Sequence, residues 1–461
     1  MNSVYFDSII IGFGKGGKTL AATLAKKGEK VALIEKSPLM YGGTCINIGC
    51  IPTKSLVYNA KAASKHSQES FEQKSEQYSK AIAEKEALTA MLREKNYSTL
   101  SENPNITVIT GEAAFLSHKT IAIRTKEKIY DISGNKIFIN TGAKTIIPTI
   151  EGAKTSKRVF TSTSIMQLKT LPKRLVIIGG GYIGLEFASM YASYGSEVTV
   201  IDTAEKFIPR EDDDISEAVK DSLTKKNITF LSNASALSIE DRNTHTEILW
   251  ENKENKQQQI IEADAVLLAI GRKPNTENLN LEKAGIQLTE QGAIKVDSQL
   301  KTTAKDIWAI GDVKGGLQFT YISLDDYRII IDQLYGDNIR NTDDRNPVSY
   351  TVFINPPLSR IGLSEAEARE KGLDIAVAKL PVNRIPKALL INETEGFLKA
   401  IIDKNTKKIL GCSLFCVDSS EIINTIALAM KTNQDYTVLK DFIFTHPSMS
   451  EALNDLFGMI D

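Results

Sequence analysis

The chain has 461 residues, too many for one hydrophobic core, so several domains are expected. Hydrophobic residues make up 42% and charged residues 25%, which excludes a disordered or fibrous chain. Lys plus Arg (56) nearly balances Asp plus Glu (57), with no basic stripe interleaved with aromatics, so nucleic acid is not an expected partner.

Val4 to Ile11 reads as a buried strand. Like the other apolar runs it is far shorter than the ~20 residues of a membrane helix, so no membrane span is expected. The chain enters this strand almost at once, leaving no room for a signal peptide, and its four cysteines are too few for a secreted disulfide scaffold. A cytoplasmic location is the expectation. The turn Gly12-Phe13-Gly14-Lys15-Gly16-Gly17 follows, then a helix from Lys18 to Lys27 and a strand from Val31 to Ile34 that ends on Glu35. This is the βαβ pattern of a dinucleotide site. Gly12, Gly14 and Gly17 permit a tight turn, close approach of backbone N–H groups to a pyrophosphate and close helix packing, and Glu35 would accept from a ribose hydroxyl.

Cys45-Ile46-Asn47-Ile48-Gly49-Cys50-Ile51-Pro52-Thr53-Lys54 is the most informative stretch. Two cysteines with four residues between them can close a small ring, and Pro52 suits the first turn of a helix whose N-terminus favours a thiolate on Cys50. A structural disulfide or two buried thiols is the plainer reading. The intracellular setting and the neighbouring Gly42, Gly43 and Gly49 favour redox chemistry instead. No metal is assigned, since only four histidines exist and none is nearby. From Lys54 to about Leu100 a charged, Ala- and Glu-rich stretch reads as helix with a solvated face.

The strand, glycine and helix grammar then repeats. Leu175 to Ile178 is a strand, Gly179-Gly180-Gly181-Tyr182-Ile183-Gly184 the turn, Leu185 to Tyr194 the helix, and Val198 to Ile201 a strand ending on Asp202. Gly179, Gly181, Gly184 and Asp202 are the second set of nucleotide-binding candidates. The loop Thr203 to Lys206 has no arginine for a 2′-phosphate, which favours NADH over NADPH, although Lys206 and Arg210 lie close by. Phe138 to Gly142 and Val266 to Arg272 read as chain crossings between domains. After about Asn346, the strands Val348 to Phe353, Gly396 to Ile402 and Ile409 to Cys416 with flanking helices suggest an α+β domain. Cys412 and Cys416 are expected to be buried, inert thiols. Copper at these two, or at Cys45 and Cys50, is the alternative.

Gly42-Gly43-Thr44-Cys45-x4-Cys50-x-Pro52-x-Lys54 resembles the signature of the class I pyridine nucleotide-disulfide oxidoreductases, which include dihydrolipoyl dehydrogenase, glutathione reductase and mercuric reductase. The resemblance covers essentially the whole chain. Ala309-Ile310-Gly311-Asp312 is similar to the family's third flavin contact, Gly271-Arg272-Lys273-Pro274-Asn275 to its linker, and His446-Pro447-Ser448-Met449-Ser450-Glu451 to its C-terminal His-Pro-x3-Glu pair. The resemblance implies an α/β fold with two Rossmann-like dinucleotide-binding domains, for FAD and NAD(P)H, and a C-terminal α+β dimerisation domain. The implied divisions are 1–147 (FAD, first part), 148–273 (NAD(P)H), 274–345 (FAD, second part) and 346–461 (dimerisation). Thr141, Gly142, Gly271, Arg272, Gly311 and Asp312 join the cofactor-binding residues, and Lys54 with Glu186 would form a charge pair beside the flavin.

The resemblance also implies an electron path from the nicotinamide through the flavin to a Cys45/Cys50 disulfide. Cys50 would face the flavin and Cys45 the substrate. In a homodimer, His446 of the partner subunit, oriented by Glu451, would act as general acid and base. Departures narrow the acceptor. Mercuric reductases and large thioredoxin reductases carry a C-terminal cysteine pair, whereas this chain ends Gly458-Met459-Ile460-Asp461 with no cysteine after Cys416. Dihydrolipoyl dehydrogenase shows His-x-His-Pro where this chain has Phe444-Thr445-His446-Pro447. The glycine loop through Leu20 and the segment Thr445 to Phe457 look most like bacterial reactive-chlorine-response flavoproteins, a group that includes hypothiocyanous acid reductases. The expected reaction is therefore NAD(P)H-dependent reduction of a small oxidant, hypothiocyanous acid, to thiocyanate. Dihydrolipoyl dehydrogenase or another disulfide reductase is the alternative, and a copper-binding or redox-sensing flavoprotein is the alternative of another class.

Overall fold

The computed structural model describes residues 4–65 and 69–460. Met1 to Ser3, His66 to Gln68, within the stretch expected to be helical, and Asp461 lie outside the described residues. The chain forms two compact units, one built from the segments up to Leu56, Lys80–Ile146 and Gly271–Asp344, the other from Val57–Ser79, Ile147–Ile270 and Arg345 onward.

In the first unit, β1 (Val4–Ile11), α1 (Lys15–Lys26) and β2 (Val31–Glu35) make the expected βαβ turn. Next come α2 (Gly43–Asn47), α3 (Cys50–Ser64), α4 (Phe71–Ser101), β3 (Ile106–Thr110), β4 (Glu112–Phe115), β5 (Thr120–Arg124), β6 (Ile129–Ile139) and β7 (Ala143–Thr145). The sheet runs β3-β2-β1-β6-β5-β4, with the later strand Ile307–Ala309 also paired to β6. Its β3, β2, β1 and β6 strands are parallel, in a register that sets Ile10 beside both Leu33 and Phe138. The C-terminal half of β1, Ile9 to Ile11, is uniformly apolar because it is covered on both faces, whereas Val4 and Tyr5 at its start are exposed rather than buried as expected. Ile9 and Ile11 pack with Ile121 and Ile132, while Ile10 packs with Leu24, Leu33 and Phe138. Helix α1 starts at Lys15, three residues before the expected Lys18, because Gly14 is its extended N-cap and the last two glycines of the turn are already helical. The charged stretch after Lys54 is helical as expected, in two helices, α3 and α4.

The second unit repeats the pattern with a fully parallel sheet. Strand Arg174–Ile178 lies between Glu197–Ile201 and Ala265–Leu268, flanked by Ile228–Leu231 and Val159–Thr161. Helix Tyr182–Ser193 again begins inside the glycine turn, with Gly181 as N-cap, ahead of the expected Leu185. Three antiparallel strands from Ala234 to Ala263 form a small side sheet. The C-terminal segment is a five-stranded antiparallel sheet ordered Tyr350–Val352, Leu358–Gly362, Ile409–Phe415, Phe397–Asp403, Ile375–Pro381. Helices Ser419–Lys431 and Ala452–Gly458 cover its core, which includes Leu398, Leu414, Ile422, Ile426, Leu453 and Phe457. Cys412 and Cys416 belong to this core and are fully buried, and burial pushes both thiols up out of the range where they ionise.

Candidate functional site

Two loops create the nucleotide sites by the same stereochemistry. Gly12 and Gly179 sit at φ +109° and +111°, and a Cβ there would fall 2.2 Å from the Asn140 carbonyl oxygen and 2.6 Å from that of Ala269. The third glycine of each loop, Gly17 or Gly184, presses a bare Cα against the carbonyl of the first, closing helix onto strand. In the first unit Asn140 locks the turn, its Oδ1 accepting from Gly17 N–H at 3.0 Å while its Nδ2 donates to Ile310 O at 2.8 Å. Gly16 N–H donates to Ser323 Oγ at 3.1 Å. Among the described residues, no protein acceptor takes the Gly14 and Lys15 N–H groups at the head of α1, the positions from which such a helix holds a pyrophosphate. Buried Glu35 accepts from Phe13 N–H and Ser37 N–H, each at 3.2 Å, and keeps lone pairs for a ribose. Burial raises its pKa, opposed by those N–H groups. This donor and acceptor set fits the adenosine diphosphate half of FAD.

In the second unit Gly181 N-caps its helix, and a side chain there would meet no protein atom within 4 Å. Gly181 lines a cavity of about 400 Å³ together with Tyr182, Asp202, Lys206, Arg210 and Phe230. Asp202 accepts from Gly180 N–H and, at 2.8 Å, from Ala204 N–H. Lys206 pairs with Asp213. Beneath the cavity, Tyr182 and Tyr350 both donate to Glu211 Oε1, at 2.6 and 2.5 Å, and Arg360 stands 3.7 Å from Glu211 Oε2. Open space at Gly181 beside a carboxylate at the strand end fits a nicotinamide dinucleotide. Glu186, on the same helix, is buried and accepts from Phe353 N–H at 2.9 Å.

Cys45 lies in α2 and Cys50 opens α3, and both are thiols. The hydrogen bond from Cys45 lowers the pKa of Cys50 to about 6. Burial opposes this, while Thr320 Oγ1, at 3.3 Å, and the positive charge of Lys54 reinforce it. Cys45 shifts the other way, well above its ordinary value, chiefly because it donates to Cys50 and next because of burial. The two thiols therefore titrate as a pair, with Cys50 shifted down and Cys45 shifted up. Asn47 shapes the turn, its Nδ2 donating to Tyr41 O and Gly43 O at 2.9 Å.

Arg272 reaches Ala143 O at 2.5 Å and lies within electrostatic range of Asp312 and Cys50. Burial raises the Asp312 pKa against the pull of Arg272 and Lys314. Gly311 N–H donates to Asp326 at 2.6 Å. Thr141 Oγ1 donates to Asn275 O at 2.8 Å, and Gly142 O accepts from Asn275 N–H at 2.9 Å, joining the strand end after β6 to the Gly271–Asn275 segment. In the second unit His446 Nδ1 and Glu451 Oε2 are 2.8 Å apart, and the His446 side chain is 72% exposed.

The first unit therefore gathers Cys45, Cys50, Lys54, Arg272 and Asp312, and the second holds His446 with Glu451. The sequence carries no motif for Thr320 and Ser323, and Asn140 lies within the Phe138–Gly142 crossing without any local signal of its role. Among the described residues no group of three or more His, Cys, Asp and Glu side chains could hold a metal ion, and no helix is long and apolar enough to cross a membrane.

A duplicated nucleotide fold with a thiol pair at a helix N-terminus defines a two-nucleotide dithiol oxidoreductase. Residues 6–326 match the pyridine nucleotide-disulphide oxidoreductase family model and residues 348–457 match that family's dimerisation domain. The chain belongs to this family, whose members use FAD and NAD(P)H, and its dimerisation domain supports a homodimer. It is 50% identical over 455 residues to the probable pyridine nucleotide-disulfide oxidoreductase RclA of Escherichia coli, covering 99% of each chain. It is 32% identical to the dihydrolipoyl dehydrogenase of Bacillus subtilis, over 96% of this chain and 94% of that one. Among solved structures it resembles the Cu(II) complex of the HOCl-induced flavoprotein disulfide reductase RclA from Escherichia coli, with a TM-score of 0.94, 49% identity and full coverage of both chains. The protein is thus a flavoprotein oxidoreductase with close homology to a reactive-chlorine-response disulfide reductase.

Proposed function

We propose that this protein reduces hypothiocyanous acid to thiocyanate with NADH, through Cys45 and Cys50. The observation that carries the reading is the Cys45 and Cys50 thiol pair at the start of α3, in a chain half identical to a relative that is an HOCl-induced flavoprotein disulfide reductase. Gly12, Gly14, Gly17, Glu35, Thr141, Gly142, Gly311 and Asp312 hold FAD, while Gly179, Gly181, Gly184 and Asp202 hold NADH. Lys54, Gly271 and Arg272 complete the flavin surroundings. When bound, FAD supplies the two-electron relay between NADH and the dithiol.

Cys45 attacks the electrophilic sulfur of hypothiocyanous acid, an S–S bond forms, and the hydroxyl leaves as water with the thiol proton. Cys50 then attacks Cys45 Sγ, the disulfide closes and thiocyanate departs with the electron pair. Overall, NADH and hypothiocyanous acid give NAD⁺, thiocyanate and water. His446 of the partner subunit, held by Glu451, moves the proton between Cys45 and the leaving group. The carboxylate of Asp202, at the strand end where a ribose binds, disfavours a 2′-phosphate, and Lys206 is partly neutralised by Asp213, which supports NADH as the preferred donor.

Hypothiocyanous acid should drive rapid NADH oxidation by the holoenzyme, and Cys45→Ser should abolish it. Equal or faster turnover of lipoamide would overturn the assignment. A second reading, copper(II) capture by the dithiol, draws on the relative's Cu(II) complex. It predicts stoichiometric copper binding lost in Cys45→Ser, with no steady-state turnover of the oxidant.

A further inference from the structure

Lys18 lies on α1, just past the glycine loop, and its Nζ donates to Asn96 Oδ1 on α4. Asn96 is oriented by its own bond to Leu92 O at 2.6 Å, and its Cγ would stand 3.3 Å from a Cβ built on Gly42. One turn earlier on α4, Arg93 Nε donates to Asn47 Oδ1 at 2.8 Å. Helix α4 thus grips both ends of the short segment that carries Cys45, and through Asn96 it fixes an ammonium group within electrostatic range of that thiol. Among the described residues no carboxylate pairs with Lys18.

Burial, then repulsion from Lys15, lowers the Lys18 pKa to about 8, while Cys45 raises it, and Lys18 in turn lowers that of Cys45. A half-buried ammonium without a carboxylate is costly to hold, so stability alone gives no reason for its position. The placement matters because the two thiols compete for one negative charge, and a cation near Cys45 favours that charge on Cys45.

We propose that Lys18 is the positioning residue of the outer thiol, holding negative charge at Cys45 and drawing small anionic electrophiles to it in preference to neutral ones. This rests on the reading of Cys45 as the outer, reacting sulfur, but not on the identity of the oxidant.

The test is alkylation of the NADH-reduced holoenzyme with neutral iodoacetamide and anionic iodoacetate, quantified at Cys45 by mass spectrometry. Lys18→Met should lower the iodoacetate-to-iodoacetamide rate ratio about fivefold and raise the pH midpoint of the iodoacetamide reaction, and Lys18→Arg should keep both. In the unaltered protein the ratio should fall as pH rises through about 8, where Lys18 loses its proton. An unchanged ratio and midpoint in Lys18→Met, or an equal loss in Lys18→Arg, overturns the proposal. If Lys18→Met cannot retain FAD, Asn96→Ala, which keeps the ammonium and removes its anchor, is read the same way: a lowered ratio supports the proposal and an unchanged one overturns it. Because no oxidant is used, failure to turn over hypothiocyanous acid would end the proposed function and leave this result standing.

Discussion

Thr320 Oγ1 stands 3.3 Å from Cys50 Sγ, at the first position of helix Thr320–Tyr335. The hydroxyl is one of the groups that keep the Cys50 pKa near 6, after the larger contribution of Cys45. A hydrogen bond to a charged group is worth about 1.5 kcal/mol, and about 1.4 kcal/mol corresponds to one pH unit. Thr320→Val should therefore move the midpoint of Cys50 alkylation from about 6 towards 7. The pH profile of alkylation, read on Cys50 by mass spectrometry, checks this; a midpoint that stays put would show that the hydroxyl does not act on the anion.

His446 and Glu451 make a different kind of pair, since an exposed imidazole is oriented by a mostly covered carboxylate 2.8 Å away. As a proposed acid and base for Cys45, His446 matters only when the oxidant reacts. His446→Gln should slow reoxidation of the reduced enzyme by hypothiocyanous acid on the order of 10²-fold or more, while reduction by NADH is unaffected. Glu451→Gln should cause a smaller loss of the same half-reaction. Stopped-flow measurement of the two half-reactions separates these outcomes, and equal slowing of both would count against the role.

Features carried by short-range chemistry were legible in the sequence. β1 announced itself by the run Ile9 to Ile11, which needs cover on both faces, and the glycine turns by spacings that only a strand-to-helix corner requires. Helix starts were placed three residues late because glycines read as turn even where the backbone at Lys15 or Tyr182 is already helical. Strands Leu358–Gly362 and Ile375–Pro381 were not anticipated. Each is pinned by a neighbour distant in sequence, the first by Ile409–Phe415 and the second by Phe397–Asp403. Thr320 is 270 residues from Cys50, and Asn140 is 123 from Gly17, so neither contact leaves a local trace.

Asn140 bridges the glycine turn and the strand end at Ile310 with one carboxamide. Asn140→Leu would leave a buried N–H and a buried C=O without partners, at about 1–3 kcal/mol each. The variant should unfold at lower denaturant concentration and release FAD more readily. Denaturation followed by flavin fluorescence measures both, and an unchanged midpoint would remove Asn140 from the framework of the site.

Asp202 offers a test of donor choice that does not involve the dithiol. Its carboxylate organises the loop through Gly180 N–H and Ala204 N–H while facing the cavity at Gly181. Asp202→Ser should cut kcat/KM for NADH by roughly tenfold, the loss of a charged hydrogen bond to a ribose hydroxyl, and should raise relative use of NADPH. Parallel kinetics with the two donors decide it. If the unaltered protein already prefers NADPH, Lys206 and Arg210 outweigh the carboxylate.

Lys399 sets the acid limit of the second unit. Its side chain is 4% exposed and lies 3.0 Å from Asp212, 3.1 Å from Asp214 and 2.8 Å from Glu365. Burial works against the Asp212 charge, but the N–H groups of Glu365 and Ala366 and the ammonium of Lys399 outweigh it, so its pKa is lowered. Glu365 is lowered chiefly by Lys399. Groups depressed in the folded state stabilise it above their unfolded pKa values, 3.8 and 4.5, and that stability is lost as pH falls through the lower folded values. Lys399 is raised, so its own contribution persists to alkaline pH and fades only above 10.5. Lys399→Met leaves buried Asp212 with the N–H groups of Glu365 and Ala366 but no cation, and should cost about 3 kcal/mol at pH 7. The deficit should shrink below about pH 4, where the carboxylates of the variant become neutral and need no cation. Denaturant unfolding of both proteins across this range measures the difference, and a deficit independent of pH would mean that Lys399 contributes packing by its methylene chain rather than charge.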